Sequence, residues 1–324
     1  MKSLPKIEIH HHLEGAAPPA LVRGLAQEKS IDISGVFGPD GGYAFNDFWH
    51  FLKVYEAATS VLTSPEDYKR LTKSVLEESA ASGVVYCETF LSPDFCGGRD
   101  VAAWREYLAA IQEAADEAER ETGIVLRGIV TAIRHFGPDK AKQTAICAAE
   151  TAGDWVVGFG IAGDETAGHL SDFTWGFDAA REAGLRLTAH AGEWDGPASV
   201  RSALIDLRVE RIGHGVRSIE DPQLVEELAE KEVVLEICPG SNVALGVYPS
   251  WDKHPIEQLR EAGVKITVST DDPPFFHTTM THEYERLNDT FGWDEDAFLD
   301  LAKTSADAAF SPRATEALET ALKR

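Results

Sequence analysis

Histidines and carboxylates that could hold a metal ion are grouped at four places in the sequence. They are the triplet His10-His11-His12, the AHAGE segment with His190 and Glu193, the RIGHG segment with His214, and the STDDPP segment with Asp271 and Asp272. Side chains alternate in direction along a β-strand, so His10 and His12 point to one side and His11 points to the other. The spacing therefore allows His10 and His12 to share one metal ion, whereas we expect His11 to pack against the helix layer.

The ligand set that these segments can assemble is typical of catalytic zinc. Zinc binds histidine nitrogens and carboxylate oxygens, and a catalytic site keeps one position for water. The predicted ligands, supplied by three different strands, are His10, His12, His190 and Asp271. Zinc lowers the pKa of a bound water to about 7, which makes hydroxide available at neutral pH. The fourth strand has no lysine at its end, which favours one zinc ion per chain over two.

Aiming that water and protonating a substrate need further groups. His214 stands between two glycines, where it can act as a base or as an electrostatic partner of the water, and Asp271 can accept the water's proton. Glu193 is placed to act as a general acid if burial raises its pKa. Gly163 can present a backbone N–H group to a ligand. No role is predicted for His277, which fits rim packing better than a functional position.

The strands and helices that must position these residues are predicted from β-rich runs that alternate with amphipathic helical segments. Eight such runs are predicted as strands, at 7–13, 84–91, 125–133, 156–161, 185–190, 211–214, 233–238 and 264–270. Strict alternation without a linker favours one α/β domain over residues 1–324, a (β/α)8 TIM barrel with active-site residues at the C-terminal strand ends. Residues 15–82 are predicted to be a helical insertion that forms part of a substrate lid, and closing helices are expected from about residue 283.

Composition restricts the partners. The chain of 324 residues carries 30 Lys and Arg against 54 Asp and Glu, a formal net charge of −24. Such a field repels nucleic acid and anionic membrane surfaces, and it disfavours AMP compared with an uncharged ligand. The four cysteines are widely spaced, and no signal-like or membrane-spanning apolar run is present, so a cytoplasmic protein is expected. The oligomeric state is left open.

Six segments, in this order along nearly the whole chain, resemble the adenosine and adenine deaminases of the amidohydrolase superfamily. They read LPKIEIHHHLEGA, VVGFGIAGDE, AHAGE, RIGHGVRSIED, EICPGSN and VSTDDPPFF. The resemblance implies that the four predicted ligands bind a single Zn²⁺ and that His214 positions the attacking water. It also implies that Glu193 protonates N1 of the purine, that Gly163 contacts N3, and that Asp272 accepts a hydrogen bond linked to N7. His12 and Glu14 are the further substrate-binding residues that it implies.

The implied reaction, part of purine salvage, is attack of zinc hydroxide on purine C6 with loss of ammonia. Adenine deaminases tend to carry serine and aspartate where Gly163 and Gly213 stand, so these two glycines favour adenosine or 2′-deoxyadenosine, giving inosine. Glu14 stands where adenosine deaminases commonly carry an aspartate that holds the ribose hydroxyls, which points the other way. We therefore expect an adenosine deaminase, with adenine deaminase, or deamination of a modified nucleoside such as aminodeoxyfutalosine, as the alternatives.

Overall fold

The computed structural model of the protein describes residues 1–323, in which eight parallel strands form a barrel. The strands are β1 Lys6–Glu8, β2 Val84–Leu91, β3 Val125–Ile133, β4 Val156–Ala162, β5 Arg186–Ala191, β6 Arg211–His214, β7 Val234–Ile237 and β8 Lys265–Val268. Neighbours in the chain are neighbours in the sheet, from β1 through β8. A bridge between His11 and Asp271 brings the segment after β8 against the segment after β1. The predicted (β/α)8 barrel is confirmed.

The first and last strands are shorter than the sequence predicts. We expected strands over 7–13 and 264–270, but β1 ends at Glu8 and β8 ends at Val268. The side chain of Ser269 explains the difference, because its Oγ accepts hydrogen bonds from the backbone N–H groups of Ile9 (3.3 Å) and His10 (3.1 Å). A side-chain acceptor thus replaces backbone ladder partners, and the residues that follow leave regular strand geometry.

Thirteen α-helices lie among the described residues. They are α1 Pro19–Lys29, α2 Phe48–Thr59, α3 Pro65–Ala81, α4 Val101–Thr122, α5 Pro138–Ala149, α6 Thr174–Glu182, α7 Pro197–Ser202, α8 Pro222–Glu230, α9 Pro239–Ala244, α10 Ile256–Glu261, α11 Met280–Phe291, α12 Glu295–Ala308 and α13 Arg313–Leu322. Three of them, α1 to α3, form the insertion between β1 and β2. None of the described helices is long and apolar enough to cross a membrane.

Local sequence explains where the insertion helices begin. Asp47 caps α2 by accepting a hydrogen bond from the backbone N–H of His50, and Ser64 caps α3 in the same way from Asp67. Helix α2 then lies over the C-terminal end of the barrel, where Phe48 contacts Trp194 with ring centroids 4.7 Å apart. One turn further along α2, the ring centroid of Phe51 lies 5.3 Å from that of Phe276. The insertion is thereby anchored to the loops after β5 and β8.

The opposite end of the barrel is closed by a buried cation. The guanidinium of Arg211, which is 1% exposed, lies 3.5 Å from the ring centroid of Phe310. Arg211 also donates to Glu236 (2.5 Å) and to Glu88 (2.7 Å). Two carboxylates and an aromatic face compensate a charge that would otherwise be costly to bury. Among the described residues, this end of the barrel is therefore filled by buried side chains.

Candidate metal centre and ligand cavity

The four predicted metal ligands converge at the C-terminal end of the barrel. His10 and His12 follow β1, His190 belongs to β5, and Asp271 follows β8. Oδ1 of Asp271 lies 3.2 Å from Nε2 of His12 and 3.6 Å from Nε2 of His10. Nε2 of His12 lies 3.2 Å from Nε2 of His190. His214 lies beside this group, with its Nε2 4.0 Å from Oδ2 of Asp271.

Hydrogen bonds fix which ring nitrogen of two of these histidines faces the centre. Nδ1 of His190 lies 2.9 Å from the backbone carbonyl oxygen of Ile161, which can only accept, so the proton of His190 is on Nδ1. Nδ1 of His10 donates likewise to Glu236 over 2.7 Å. Both rings therefore present the lone pair of Nε2 to the centre, as metal-bound histidines do.

The donor set fits a divalent metal ion. Nε2 of His10 is buried and has no hydrogen-bond partner. Such an orphaned nitrogen costs free energy unless another group binds it. Three imidazole nitrogens and one carboxylate oxygen make a mixed N and O set of the kind that zinc prefers in catalytic sites. These residues can therefore hold the ion at this position.

Backbone strain and a buried serine set the positions of two further side chains. His214 and Asp271 both have positive φ angles, 59° and 67°, which are uncommon for residues other than glycine. Conformations of this kind persist where surrounding contacts enforce them. For Asp271 one such contact is the hydroxyl of Ser241, which donates to its Oδ2 over 2.7 Å. Burial would raise the pKa of Asp271, but the His10 and His12 imidazoles close to its carboxylate outweigh it and hold that pKa well below the usual value.

Two other carboxyl groups near the metal ligands, those of Glu193 and Asp272, have a raised pKa. Burial raises the pKa of Glu193 well above the usual value, and the negative charges of Asp271 and Glu165 add to the effect. The pKa of Asp272 is raised well above its usual value by burial and by the charges of Asp271 and Glu193. Oδ1 of Asp272 is buried and has no hydrogen-bond partner. Both shifts favour the protonated form of the carboxyl group, which can donate a proton or a hydrogen bond.

The loop that carries Glu193 is held by a carboxylate that sequence reasoning missed. Glu165, in the GIAGDE segment after β4, is buried and accepts from Oγ of Ser199 at 2.6 Å. The backbone N–H groups of residues 192–195 also point at this carboxylate, with that of Glu193 at 3.0 Å and that of Trp194 at 2.7 Å. An anion inside a ring of N–H groups rigidifies the loop. The available signal was an acidic residue inside a segment of mostly buried, apolar residues.

A cavity lies against this group and opens to solvent, with about 620 Å³ of empty space that includes its open mouth. Seven predicted site residues line it, namely His12, Gly163, His190, Glu193, His214, Asp271 and Asp272. Its other wall is apolar and comes largely from α2, with Phe48, Phe51, Leu52 and Tyr55, joined by Phe95 and Ile133. An apolar wall with a few convergent polar groups is typical of a site for a small molecule.

Of the predicted site residues, His10 and Glu14 do not line this cavity. Glu14 is buried, and the hydroxyl of Tyr68 donates to its Oε1 over 3.0 Å, so the carboxylate faces α3 and does not line the cavity. His277 is exposed and does not line the cavity either. His11 points away from the metal ligands, with its Nδ1 3.0 Å from Oγ1 of Thr89.

Comparison with known proteins gives the same picture at the level of the whole chain. A family model described as adenosine deaminase matches residues 5–319. A relative named adenine deaminase, from Rhizobium rhizogenes, is 45% identical over 314 residues, which cover 97% of each chain. Another of that name, from Agrobacterium fabrum, is 46% identical over 312 residues, covering 96% of this chain and 95% of the relative.

Solved structures of similar proteins match nearly the whole chain. The crystal structure of adenine deaminase from Arthrobacter aurescens matches with a TM-score of 0.89 and 29% identity, covering 99% of this chain and 98% of the other. An amidohydrolase from Burkholderia ambifaria with bound zinc matches with a TM-score of 0.85 and 27% identity, covering 100% and 94%.

These comparisons show that the sequence-based preference for adenosine is wrong, because the relatives at 45% identity are named adenine deaminase. The two glycines that suggested a nucleoside have local explanations. A Cβ atom at Gly213 would lie 2.8 Å from Cε1 of His10, and one at Gly163 would lie 2.7 Å from Nδ1 of His135. Gly163 also has a φ of +94°. In this chain the packing of His10 and His135, and the positive φ of Gly163, thus favour glycine at these positions, and the two glycines need not report the substrate.

Proposed function

The chain belongs to the adenosine deaminase family, and from that premise we propose that it deaminates free adenine to hypoxanthine and ammonia. It is an aminohydrolase, acting on C–N bonds. The observation that carries the proposal is the placement of Glu193, a buried carboxyl group whose pKa is raised by burial, in the same cavity as the cluster of metal ligands. A ring nitrogen can then be protonated while the adjacent carbon is attacked by water.

The lining of the cavity supports a free base over a nucleoside or a nucleotide. Glu14, the group that the family resemblance offers for the ribose hydroxyls, accepts a hydrogen bond from Tyr68 and does not line the cavity. Among the described residues, no lysine or arginine lines the cavity, whereas Glu56 does. A phosphate group would find no cation there and would meet a carboxylate instead.

One zinc ion per chain is part of the proposal, with His10, His12, His190 and Asp271 as its ligands. When bound, the ion supplies a Lewis acid that lowers the pKa of water. The chain's own residues do the rest. Asp271, whose pKa is held low, accepts a proton from the attacking water. His214 lies beside Asp271 and holds the oxygen of that water toward C6.

The purine ring is held on its other edges. Glu193 gives its proton to N1, which lowers the electron density at C6 and makes that carbon a better electrophile. The backbone N–H group of Gly163 faces N3. Asp272 is proposed to take part in the hydrogen bond linked to N7. Burial and the charge of Asp271 raise the pKa of its carboxyl, which favours the protonated form, and a protonated carboxyl can donate to the N7 lone pair.

The reaction balances with these groups alone. A C6–O bond forms and the bond from C6 to the exocyclic nitrogen breaks. N1 keeps the proton that came from Glu193. Of the two protons of water, one leaves with the nitrogen as ammonia and the other restores Glu193. The insertion helix α2, which supplies the apolar wall, is proposed to act as a lid that keeps bulk water away from the ring.

A side-by-side kinetic panel tests the proposal. Protein containing one zinc ion per chain is incubated with adenine, adenosine, 2′-deoxyadenosine and AMP, and ammonia release is measured together with the ultraviolet spectrum of the purine. Adenine should have by far the highest kcat/KM. Turnover of a nucleoside or of AMP at a higher kcat/KM than adenine, or no turnover of adenine by metal-loaded protein, would contradict the proposal.

A further inference from the structure

A chain of buried hydrogen bonds runs from the start of α10 to the site. The backbone N–H of Ile256 donates to Nδ1 of His254 over 3.2 Å, and Nε2 of His254 lies 3.1 Å from Oδ1 of Asn242. Nδ2 of Asn242 lies 2.8 Å from Oε1 of Glu193 and 3.3 Å from Nδ1 of His214. Asn242 is 0% exposed and His254 is 2% exposed, and neither lines the purine cavity.

The direction of every hydrogen bond in this chain is set by its first donor. A backbone N–H can only donate, and that of Ile256 lies in the first turn of α10, where it has no acceptor within the helix. Nδ1 of His254 must therefore accept. Burial lowers the pKa of His254 to about 3, so its ring is neutral and carries a single proton, on Nε2.

The proton position on His254 then determines the orientation of the Asn242 side-chain amide. Nε2–H of His254 donates to the oxygen of Asn242, so the NH₂ group of that amide faces the site. An amide NH₂ has two hydrogens, and two acceptors lie within reach of them, one on Glu193 and one on His214. The orientation of the Asn242 amide is thus determined by His254, which contacts neither the metal ligands nor the cavity.

We propose that Asn242 and His254 are positioning residues that place the proton of His214 on Nε2 and the acid proton of Glu193 on Oε2. Nδ1 of His214 accepts from Asn242, which leaves its proton on Nε2, the nitrogen that lies 4.0 Å from Oδ2 of Asp271. Oε1 of Glu193 accepts from the same amide, which leaves the acid proton on the other oxygen. The inference rests on the proposed deamination for its kinetic consequence, but not for its geometry.

The consequence is a division of labour between His214 and Asp271. A histidine with its proton on Nε2 offers an N–H group to the attacking water and has no lone pair there to take a proton. His214 therefore holds the water's oxygen as a donor, and Asp271 accepts the proton. At the same time Glu193 directs its own proton away from Asn242 and from His214, toward N1 of the purine.

Nitrogen NMR of the zinc-loaded protein tests the geometry directly. Protein labelled with ¹⁵N at histidine should show His214 as the tautomer protonated at Nε2, its signals being assigned by their loss in His214→Gln. A His214 signal from the tautomer protonated at Nδ1 would overturn the proposal. This result does not depend on which purine is turned over, so it separates failure of the inference from failure of the proposed function.

Kinetics of variants at His254 test the consequence. His254→Leu removes the donor to the Asn242 amide, and kcat for adenine should fall by about 10- to 100-fold, the usual cost of losing an outer hydrogen-bond partner. KM should stay within roughly twofold, because the substrate contacts remain. His254→Gln keeps an N–H donor at the same place and should recover most of the lost rate, which a role in packing alone does not predict.

Controls make each outcome decisive. His282 is exposed on α11, and His282→Leu is the matched control, expected to keep the wild-type kcat. Thermal unfolding and zinc content are measured for every variant, so that a misfolded protein is recognised. If His254→Leu is folded, holds zinc and keeps the wild-type kcat, or if His254→Gln is as slow as His254→Leu, the proposal is wrong.

Discussion

Nδ1 of His10 donates a hydrogen bond to Oε2 of Glu236 over 2.7 Å, although the two residues lie 226 positions apart in the chain. The other oxygen of Glu236 accepts from Arg211 and from Oγ1 of Thr188 at 2.9 Å. Burial would raise the pKa of Glu236, but the charge of Arg211 and the bond from His10 outweigh it and lower that pKa to about 2. A permanent carboxylate thus fixes the ring of a metal ligand from below.

Glu236→Gln should weaken metal binding and destabilise the fold. The substitution keeps an oxygen that can accept from His10 but removes the charge that compensates Arg211, which is 1% exposed. We expect a loss of about 10- to 100-fold in zinc affinity and of about 3 kcal/mol in the free energy of unfolding. Chelator competition and urea denaturation measure the two. Glu226→Gln, at an exposed position of α8, is the control; equal zinc affinity in the two variants would contradict the expectation.

Glu193→Gln should keep the zinc and lose most of the activity. Glutamine can still accept from Asn242 through its amide oxygen, so the geometry around Oε1 is retained. It cannot supply a proton to N1, and loss of a general acid lowers kcat by about 10²- to 10⁴-fold. Zinc content by elemental analysis and kcat for adenine are the measurements. A rate near that of the wild type would exclude Glu193 as the acid.

Sequence patterns predicted the parts of this molecule that depend on neighbours in the chain. The alternation of strands and helices was sufficient for the barrel, and β2 and β3 have the predicted bounds of 84–91 and 125–133. The residues that follow the strands supplied the histidines and carboxylates of the cavity. The residues that sequence reasoning missed, Glu165, Glu236 and Asn242, act through partners 28 to 226 positions away. No local periodicity records such contacts.

The substrate was misjudged for a related reason. Gly163 and Gly213 were weighed as markers of what the site binds, whereas each is required by a side chain packed against it. The orientation of the Glu14 side chain is the better evidence about the substrate. That orientation depends on Tyr68, 54 positions later on α3. A single residue type cannot report the orientation of its own side chain.

Removal of the metal ion should abolish turnover and lower the melting temperature. Without an ion, Nε2 of His10 remains buried without a partner, and the Nε2 atoms of His12 and His190 face each other at 3.2 Å. A ligand that binds only the folded state contributes about 2.7 kcal/mol when its free concentration is 100 times its dissociation constant. Dialysis against a chelator, followed by thermal unfolding at buffered free zinc concentrations, measures this. An unchanged melting temperature together with retained activity would contradict a resident metal ion.

Glu14→Gln should stabilise the protein at alkaline pH and leave adenine turnover unchanged. Burial raises the pKa of Glu14 from 4.5 to about 7, although a hydrogen bond from Tyr68 opposes the shift. Below pH 4.5 the carboxyl is protonated in both the folded and the unfolded chain, so its ionisation does not change the free energy of unfolding. Between 4.5 and 7 the unfolded chain releases its proton first, so stability falls as pH rises. Above 7 the deficit is constant, at about 3 kcal/mol for a shift of this size.

Glutamine at position 14 does not ionise, and its amide oxygen can still accept from the hydroxyl of Tyr68. The difference in unfolding free energy between Glu14→Gln and the wild type should therefore be near zero at pH 4.5 and grow to about 3 kcal/mol at pH 8. Urea denaturation at the two pH values measures it, with Glu77→Gln, at an exposed position of α3, as the control. Because Glu14 does not line the cavity, kcat/KM for adenine should stay at the wild-type value. A difference in unfolding free energy that is the same at both pH values would show that the carboxyl of Glu14 is not buried as described. A loss of adenine turnover would show that Glu14 contacts the substrate.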